Sequence, residues 1–427
     1  MKKTVNIAIV GIGNVGGYLL KQLLKKRKEI EIKTGKKIKI VAISAKSINK
    51  KRNFKINKKI FFKNPLNIFS NNIDILFELV GNSDGISKMV VEKALKQKIH
   101  VITANKALIS KHGEYLSSLA EKNKVNLEFE ASVGGGIPVL RTIKEGLATN
   151  KINKVVGILN GTSNYILSQM QKTKHSFQDV LKDAQMLGFA EANPKFDLDG
   201  SDVLSKIRIL SSLSFNTKIT KNTCLKNGIE NIELKDIELA DKLDLRVKLL
   251  GITEIINNKI FERVHPCLIK KDNYIANIDG VMNAIILEGD PVGETVLQGE
   301  GAGPGATSSA LLSDLLSILR GNIKFPFGIP SSKRKNVVSY DQNQNSNSLY
   351  LRIEVKDKPG VLSQITKQLA KYHISIERLI QTPDHKRKRA SIVIVTHKAK
   401  EQNSNKCLKS FKNNKNVLKS PTLIRLF

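Results

Sequence analysis

The 427-residue sequence predicts an α/β chain in three parts. These are a Rossmann-type doubly wound parallel sheet, a middle α+β unit, and a C-terminal ferredoxin-like βαββαβ unit. Three observations predict this. The mostly apolar run TVNIAIV at 4–10 leads into GIGNVG at 11–16 and then into the helical pattern GYLLKQLLKK. Strand and helix patterns then alternate as far as residue 132, as in a parallel sheet with helices on both faces. After the polar stretch 331–348, six elements follow in the order βαββαβ.

The first turn meets the physical needs of a dinucleotide site. Gly11 permits the tight turn, Gly13 lets the backbone approach a pyrophosphate, and Gly16 allows close helix–strand packing. Asn14 and Val15 open the helix, whose free N–H groups face the phosphates. The second strand, KIKIVAIS, ends at Ser44-Ala45-Lys46, with Lys50, Lys51 and Arg52 beyond. No acid is there to hold a ribose 2′-hydroxyl, and cations for a 2′-phosphate are plentiful. The expected cofactor is therefore NADP, preferred over NAD.

The strands at 72–81, 99–106 and 125–132 continue the sheet. Ligands of such sheets bind at the carboxyl ends of the strands. Thr103, Asn105 and Lys106 lie at one such end, and Glu130 with the turn SVGGGIP at another. A turn and a helix at 134–147 then leave the first domain, and 151–167 reads as strand, turn and helix. Its Asn160-Gly161-Thr162 fits either an N-cap or a cofactor contact. Residues 228–295 mix helix and strand, with a proline interrupting RVHPCLI. The loop GEGAGPGAT runs into an apolar helix expected to pack back on the first domain, bringing Gly301 and Gly303 near the cofactor. The expected boundaries are 1–133 with 304–330 for the nucleotide domain, 134–303 for the middle domain, 331–348 for a linker, and 349–427 for the last unit.

Composition excludes several classes. No run of about 20 apolar residues exists for a membrane span, and glycines interrupt the N-terminus too early for a signal peptide. Cys224, Cys267 and Cys407 are too scattered for a zinc cluster or a disulfide framework, which fits a reducing cytoplasm. The net charge of +33 is spread along the chain, aromatics are only 5% and Trp is absent. Single-strand nucleic-acid binding wants aromatic platforms beside a basic groove, so no nucleic-acid partner is expected.

The most acidic stretch of this basic chain is 184–206, AQMLGFAEANPKFDLDGSDVLSK. Proline at 194 breaks the helix before it. Beyond Gly200, Asp202 and Lys206 sit four apart on one helical face. Alone, such a pair is an ordinary surface ion pair. In full, the stretch resembles the signature of homoserine dehydrogenases: Ala184, Gly188-Phe189-Ala190, Asn193-Pro194, Asp197-Leu198, Gly200, Asp202 and Lys206 in unbroken spacing. GIGNVG, TANK at 103–106, EASVGGGIP at 130–138, NGTSNYIL at 160–167 and GEGAGPGAT at 299–307 are similar to other family segments. The last unit, with DKPGVL at 357–362, resembles an ACT regulatory domain. The resemblance covers nearly the whole chain, without an aspartate kinase domain.

The resemblance implies NAD(P)(H)-dependent interconversion of L-homoserine and L-aspartate 4-semialdehyde, on the route to threonine, methionine and isoleucine. It implies Lys206 as proton donor, Asp202 and Glu191 as substrate binders, and Lys106 close to both substrate and cofactor. Gly188 and Gly303 match backbone positions near the cofactor. Glu130 resembles the ligand of a monovalent cation (Na+), with the carbonyls of Val133, Gly135 and Ile137 completing the site; a hard cation suits such oxygens. A homodimer through the middle domain or a homotetramer, and an amino-acid effector at the ACT unit with threonine as the family expectation, also follow from the resemblance. Asp197 and Asp199 receive no role beyond turn formation. Two other readings compete: an aspartate-semialdehyde dehydrogenase, which needs an activated cysteine, and a sensing protein that has lost catalysis.

Overall fold

The computed structural model describes residues 3–48 and 56–427. Lys50, Lys51 and Arg52 lie outside the described residues. Strands β1 (Thr4–Val10), β2 (Lys37–Ser44), β3 (Phe61–Phe62), β4 (Ile75–Glu78), β5 (His100–Thr103) and β6 (Leu127–Glu128) form a parallel sheet in the order β3-β2-β1-β4-β5-β6. Helices α1 (Asn14–Lys25), α2 (Arg27–Thr34), α3 (Ile86–Lys96) and α4 (Lys106–Asn123) connect them. The order reverses between β1 and β4, which opens a crevice at the carboxyl ends of the strands. β1 and β4 read as continuous apolar runs because both faces are covered: Ile7, Ala8, Ile9, Leu76 and Phe77 are fully buried.

The strand expected at 125–132 is shorter. It pairs only at Leu127–Glu128, and Glu130–Ser132 then turn into a 3-10 helix. The cause is local: the Ser132 hydroxyl and amide both bond back to the Phe129 carbonyl, at 2.6 and 2.9 Å, an alternative to the ladder that serine offers readily. The helix expected within 134–147 is a short α5 (Val139–Arg141) running into a π-helical turn at 142–146.

The middle region holds β7 (Lys151–Ile158), β8 (Leu225–Lys226), β9 (Leu245–Ile256), β10 (Lys259–Lys270), β11 (Met282–Asp290) and β12 (Gly293–Glu300). Its helices are α6 (Gly161–Thr173), α7 (Phe177–Met186), α8 (Lys195–Leu198), α9 (Ser201–Ser214) and α10 (Leu234–Lys242). Helix α11 (Pro304–Leu319) returns to the first sheet, where Leu311, Leu315 and Ile318 join Leu19, Leu20 and Leu23 of α1 in one core.

The proline expected to interrupt RVHPCLI does not: β10 runs unbroken through Pro266, which pairs with Leu249 of β9. On its outer edge β10 meets two short parallel partners, β8 at Arg263–Val264 and the last strand of the chain at Cys267–Leu268. Val264 and Leu268 accept bonds from Asn227 and Phe427 on that edge. Pro266 shares their orientation and falls in the gap between the two partners, where no N–H is required.

The C-terminal elements are β13 (Ser346–Asn347), β14 (Leu349–Lys356), α12 (Val361–Lys371), β15 (Ile376–Asp384), β16 (Arg389–Thr396), β17 (Ala399–Lys400), α13 (Glu401–Lys412) and β18 (Thr422–Leu426). Their four long strands run β18-β14-β16-β15 and join the middle sheet through β10·β18, so ten strands form one sheet across two domains. A fully buried ion pair reinforces the junction. Arg352 of β14 donates to both oxygens of Asp236 on α10, at 2.6 and 3.0 Å, and Tyr350 donates to the same carboxylate.

The polar stretch 331–348 connects the domains but is a pinned strap rather than a free linker. Arg334 is buried, donates to the Thr217 carbonyl and Glu114, and stacks 3.8 Å over Phe327. The strap also bonds to β10 through its backbone: the Ile260 amide donates to the Val338 carbonyl, and the Tyr340 amide donates to the Ile260 carbonyl.

Candidate functional site

The nucleotide loop follows from its glycines. Gly11 has φ +97°, and a Cβ there would meet the Leu79 carbonyl at 2.6 Å. A Cβ at Gly16 would run into the Gly11 carbonyl. At Gly13, which precedes α1, an added Cβ would meet nothing within 4 Å. Gly303, φ +102°, precedes α11 in the same open way. Gly188, φ +77°, ends α7 with equally free surroundings. Ser44 at the end of β2 is buried, and Lys46 beyond it is exposed.

Where α4 of the first domain faces α9 of the middle domain, charged side chains converge. Asp202 is 1% exposed and bridges two ammonium groups: Lys106 Nζ at 2.6 Å and Lys206 Nζ at 2.8 Å. Lys206 also donates to the Leu159 carbonyl at 2.5 Å. Asn160 caps α6 by accepting from the Ser163 amide at 2.8 Å, and its amide group donates to both Asp197 and Asp202 at 2.8 Å. One side chain thus serves as helix cap and as the tie between two acids of the signature.

Burial sets the protonation states. It pushes the Lys206 pKa down, with Lys106 helping, while Asp202 works against it. Burial alone would raise Asp202, but the two ammonium groups outweigh it and hold the carboxyl well below the usual range. Burial raises Asp197, partly offset by Asn160. Asp199 plays a separate part. It accepts from the Ser201 amide and hydroxyl at 2.8 and 2.9 Å, closing the start of α9.

Other expected residues lie elsewhere or are differently engaged. Glu191 is exposed, forms no ion pair among the described residues, and offers only its carbonyl, to Gln185 at 3.1 Å. Thr103 turns its hydroxyl to Glu78 at 2.7 Å and accepts from the Asn105 amide. Glu78, fully buried at the end of β4, is a residue the sequence reading missed. A carboxylate closing the otherwise apolar strand 75–78 was the available signal.

A second buried cluster lies under the β6 end. Glu130, 2% exposed, accepts from the Leu140 and Arg141 amides at 2.8 Å each. Asp314 of α11, also missed from sequence, accepts from the Glu130 amide at 3.1 Å and pairs with Arg141 at 3.0 Å. Lys144 pairs with Glu128 at 3.0 Å. Burial raises the pKa of both Glu130 and Asp314 despite these cations. Among the described residues the carbonyls of Val133 and Gly135 accept no hydrogen bond, whereas Ile137 accepts from Val139 at 2.8 Å.

Burial disfavours the thiolate at all three cysteines. Burial pushes the thiols of Cys267 and Cys407 up to about 12 and raises Cys224. His265 beside Cys267 is held neutral by its own burial. A thiolate is what an acyl-forming dehydrogenase needs, so this site does not support that chemistry.

Fold and site together define a dinucleotide-dependent oxidoreductase. A family model for homoserine dehydrogenase matches residues 138–316, one for the homoserine dehydrogenase NAD-binding domain matches 11–130, and an ACT domain model matches 349–413. The chain is 39% identical to a homoserine dehydrogenase of Neisseria gonorrhoeae, covering 99% of each, and 39% identical to one of Helicobacter pylori, covering 100% of each. A solved homoserine dehydrogenase from Thiobacillus denitrificans superposes with a TM-score of 0.91 at 34% identity, over 100% of this chain and 98% of that one. The chain belongs to the homoserine dehydrogenase family. Among the described residues no helix is long and apolar enough to cross a membrane.

Proposed function

We propose that this chain interconverts L-aspartate 4-semialdehyde and L-homoserine with NADP(H), using Lys206 to pass the hydroxyl proton. The observation that carries the reading is the Asp202 carboxylate bridging Lys106 and Lys206 at 2.6 and 2.8 Å, where the two domains face each other. When bound, the nicotinamide supplies or accepts the hydride. Burial lowers the Lys206 pKa, the direction that favours a proton donor. Its bonds to Asp202 and Leu159 fix the direction of its remaining N–H. Asp202 stays ionised and orients both lysines, and Asn160 fixes Asp202. Glu191, exposed and without an ion pair among the described residues, is available for the substrate ammonium.

The loop 11–16, with Gly188 and Gly303, is the proposed cofactor surface, and Lys46 is the described cation nearest the β2 end in sequence for a 2′-phosphate. Glu130 with the Val133, Gly135 and Ile137 carbonyls is the proposed monovalent-cation site. Two of those carbonyls accept no hydrogen bond among the described residues. Three carboxylates there (Glu128, Glu130, Asp314) face two cations (Arg141, Lys144), so one further positive charge, a cation or a proton on Asp314, balances the cluster. The sheet shared between the middle and ACT domains supports feedback by an amino-acid effector. The strands β12 and β15, which end the ten-stranded sheet among the described residues, support assembly as a homodimer or homotetramer.

The test is spectrophotometric loss of NADPH on adding aspartate semialdehyde to the full chain. Turnover, with lower kcat/KM for NADH, is expected. No turnover with either nucleotide would overturn the reading.

A further inference from the structure

Glu78 ends β4, where the strand order reverses, and is 0% exposed. Among the described residues no cation pairs with it, and two neutral donors hold it instead. Burying a carboxylate without a cation is unfavourable, and an apolar side chain would continue the strand without that penalty. What the carboxylate adds is a tie between its two donors.

Those donors sit on different strand-end loops. Glu78 Oε1 accepts from the Val80 amide at 2.9 Å, and Oε2 accepts from the Thr103 hydroxyl at 2.7 Å. The loop after β4 leans on the nucleotide turn: the Leu79 amide donates to the Val10 carbonyl at 2.8 Å, and the Leu79 carbonyl packs on Gly11. The loop after β5 leads into α4. Thr103 Oγ1 accepts from the Asn105 amide at 2.9 Å, and Asn105 caps α4 by accepting from the Leu108 amide at 3.0 Å. The Asn105 side chain also donates to the Asn82 carbonyl at 2.8 Å, which closes the circuit back to the first loop. The next residue is Lys106, whose ammonium reaches Asp202 at 2.6 Å.

We propose that Glu78 is a positioning residue of the reaction: by holding Val80 and Thr103 on one carboxylate it fixes the start of α4 against the nucleotide turn, and so seats Lys106 on Asp202. The inference rests on the reading of Lys206 as proton donor. Lys206 is faced by Asp202 on its own helix, by Lys106 on α4 and by Asp197 on α8, and it donates to the Leu159 carbonyl. Of these charges only Lys106 lowers the Lys206 pKa; the two acids raise it. When the start of α4 shifts, Lys106 leaves Asp202, the Lys206 pKa rises, and the fall of the reductive rate moves to higher pH.

The experiment is the pH profile of kcat for semialdehyde reduction by the parent, Glu78→Gln, Lys106→Met and the double variant. Gln keeps the shape, but its amide group faces either the Val80 N–H or the Thr103 hydroxyl, so one tie is lost. The inflection is expected to move up by roughly 0.5–1 pH unit in Glu78→Gln and at least as far in Lys106→Met. The double variant should match Lys106→Met, because a residue acting through Lys106 adds nothing once Lys106 is gone. Thr103→Val cuts the same path at its next link and should also raise the inflection, which carries the test if Glu78→Gln fails to fold. An inflection at the parent's pH in Glu78→Gln and Thr103→Val, or a Glu78→Gln shift that persists undiminished without Lys106, would overturn the proposal alone. A parent that shows no turnover or no inflection would overturn the Lys206 reading, and this inference with it.

Discussion

The two buried charge clusters of this enzyme are built with opposite surpluses. Around Asp202, one strongly buried acid serves two ammonium groups, and its pKa is driven down. Around Glu130, three acids share two cations, and burial drives Glu130 and Asp314 up. Both sit at the carboxyl end of the first sheet, and both are closed by helix starts, α9 in one case and α5 in the other. The difference lies in what each still needs. The first has an N–H to spare on Lys206, which suits a carbonyl oxygen gaining negative charge. The second has carbonyl oxygens and negative charge to spare, which suits a cation.

Substitutions that exchange these surpluses sharpen the comparison. The largest effect is expected from Lys206→Ala, which removes the proposed proton donor: turnover falls by about 10²–10⁴ while NADPH binding, followed by fluorescence, survives. Activity within tenfold of the parent would refute the assignment. Next comes Asp202→Asn. It keeps the shape but takes the negative charge from between two ammonium groups, so the Lys206 pKa drops further and the reductive pH profile shifts to lower pH, with a smaller loss of kcat. A profile that stays in place would separate Asp202 from Lys206. The smallest effect is expected from Glu130→Gln. Its amide group would face the Leu140 or Arg141 N–H, costing about 1–3 kcal/mol of stability and abolishing any rise of Tm with sodium. An unchanged sodium response would remove Glu130 from the proposed cation site.

Much of this was readable in the sequence, for stated physical reasons. The strand–GIGNVG–helix unit is local, and each glycine has its own steric cause, visible at Gly11 and Gly16. The Asp202–Lys206 pair is a helical i,i+4 contact. Lys106 reaching Asp202 is a contact between domains, and only the fold supplies its 2.6 Å. Asn160 stood between cap and cofactor contact; the structure gives it the cap and adds bonds to Asp197 and Asp202, a role that no local pattern carries. Asp314 and Glu128 read as ordinary positions because their partners lie far along the chain or are themselves buried. Pro266 misled in the other direction: proline argues against a central strand, but the argument fails where two short neighbours leave a gap. The strap at 331–348 is polar like a linker, and Arg334 alone shows why composition was insufficient, since its burial depends on Glu114, Thr217 and Phe327.

The central claim is that burial tunes Lys206 as a proton donor held by Asp202. A free lysine titrates near about 10.4, and the folded value lies below that. Semialdehyde reduction needs the ammonium form, so its rate should fall as pH rises through the lowered pKa. Homoserine oxidation needs the neutral amine and should rise through the same pKa. Asp202, ionised throughout, should add no second inflection above neutral pH. The pH dependence of kcat in both directions measures this directly: mirror-image profiles sharing one inflection below about 10.4 are predicted, and a reductive rate that is flat or rises across that range would contradict the account.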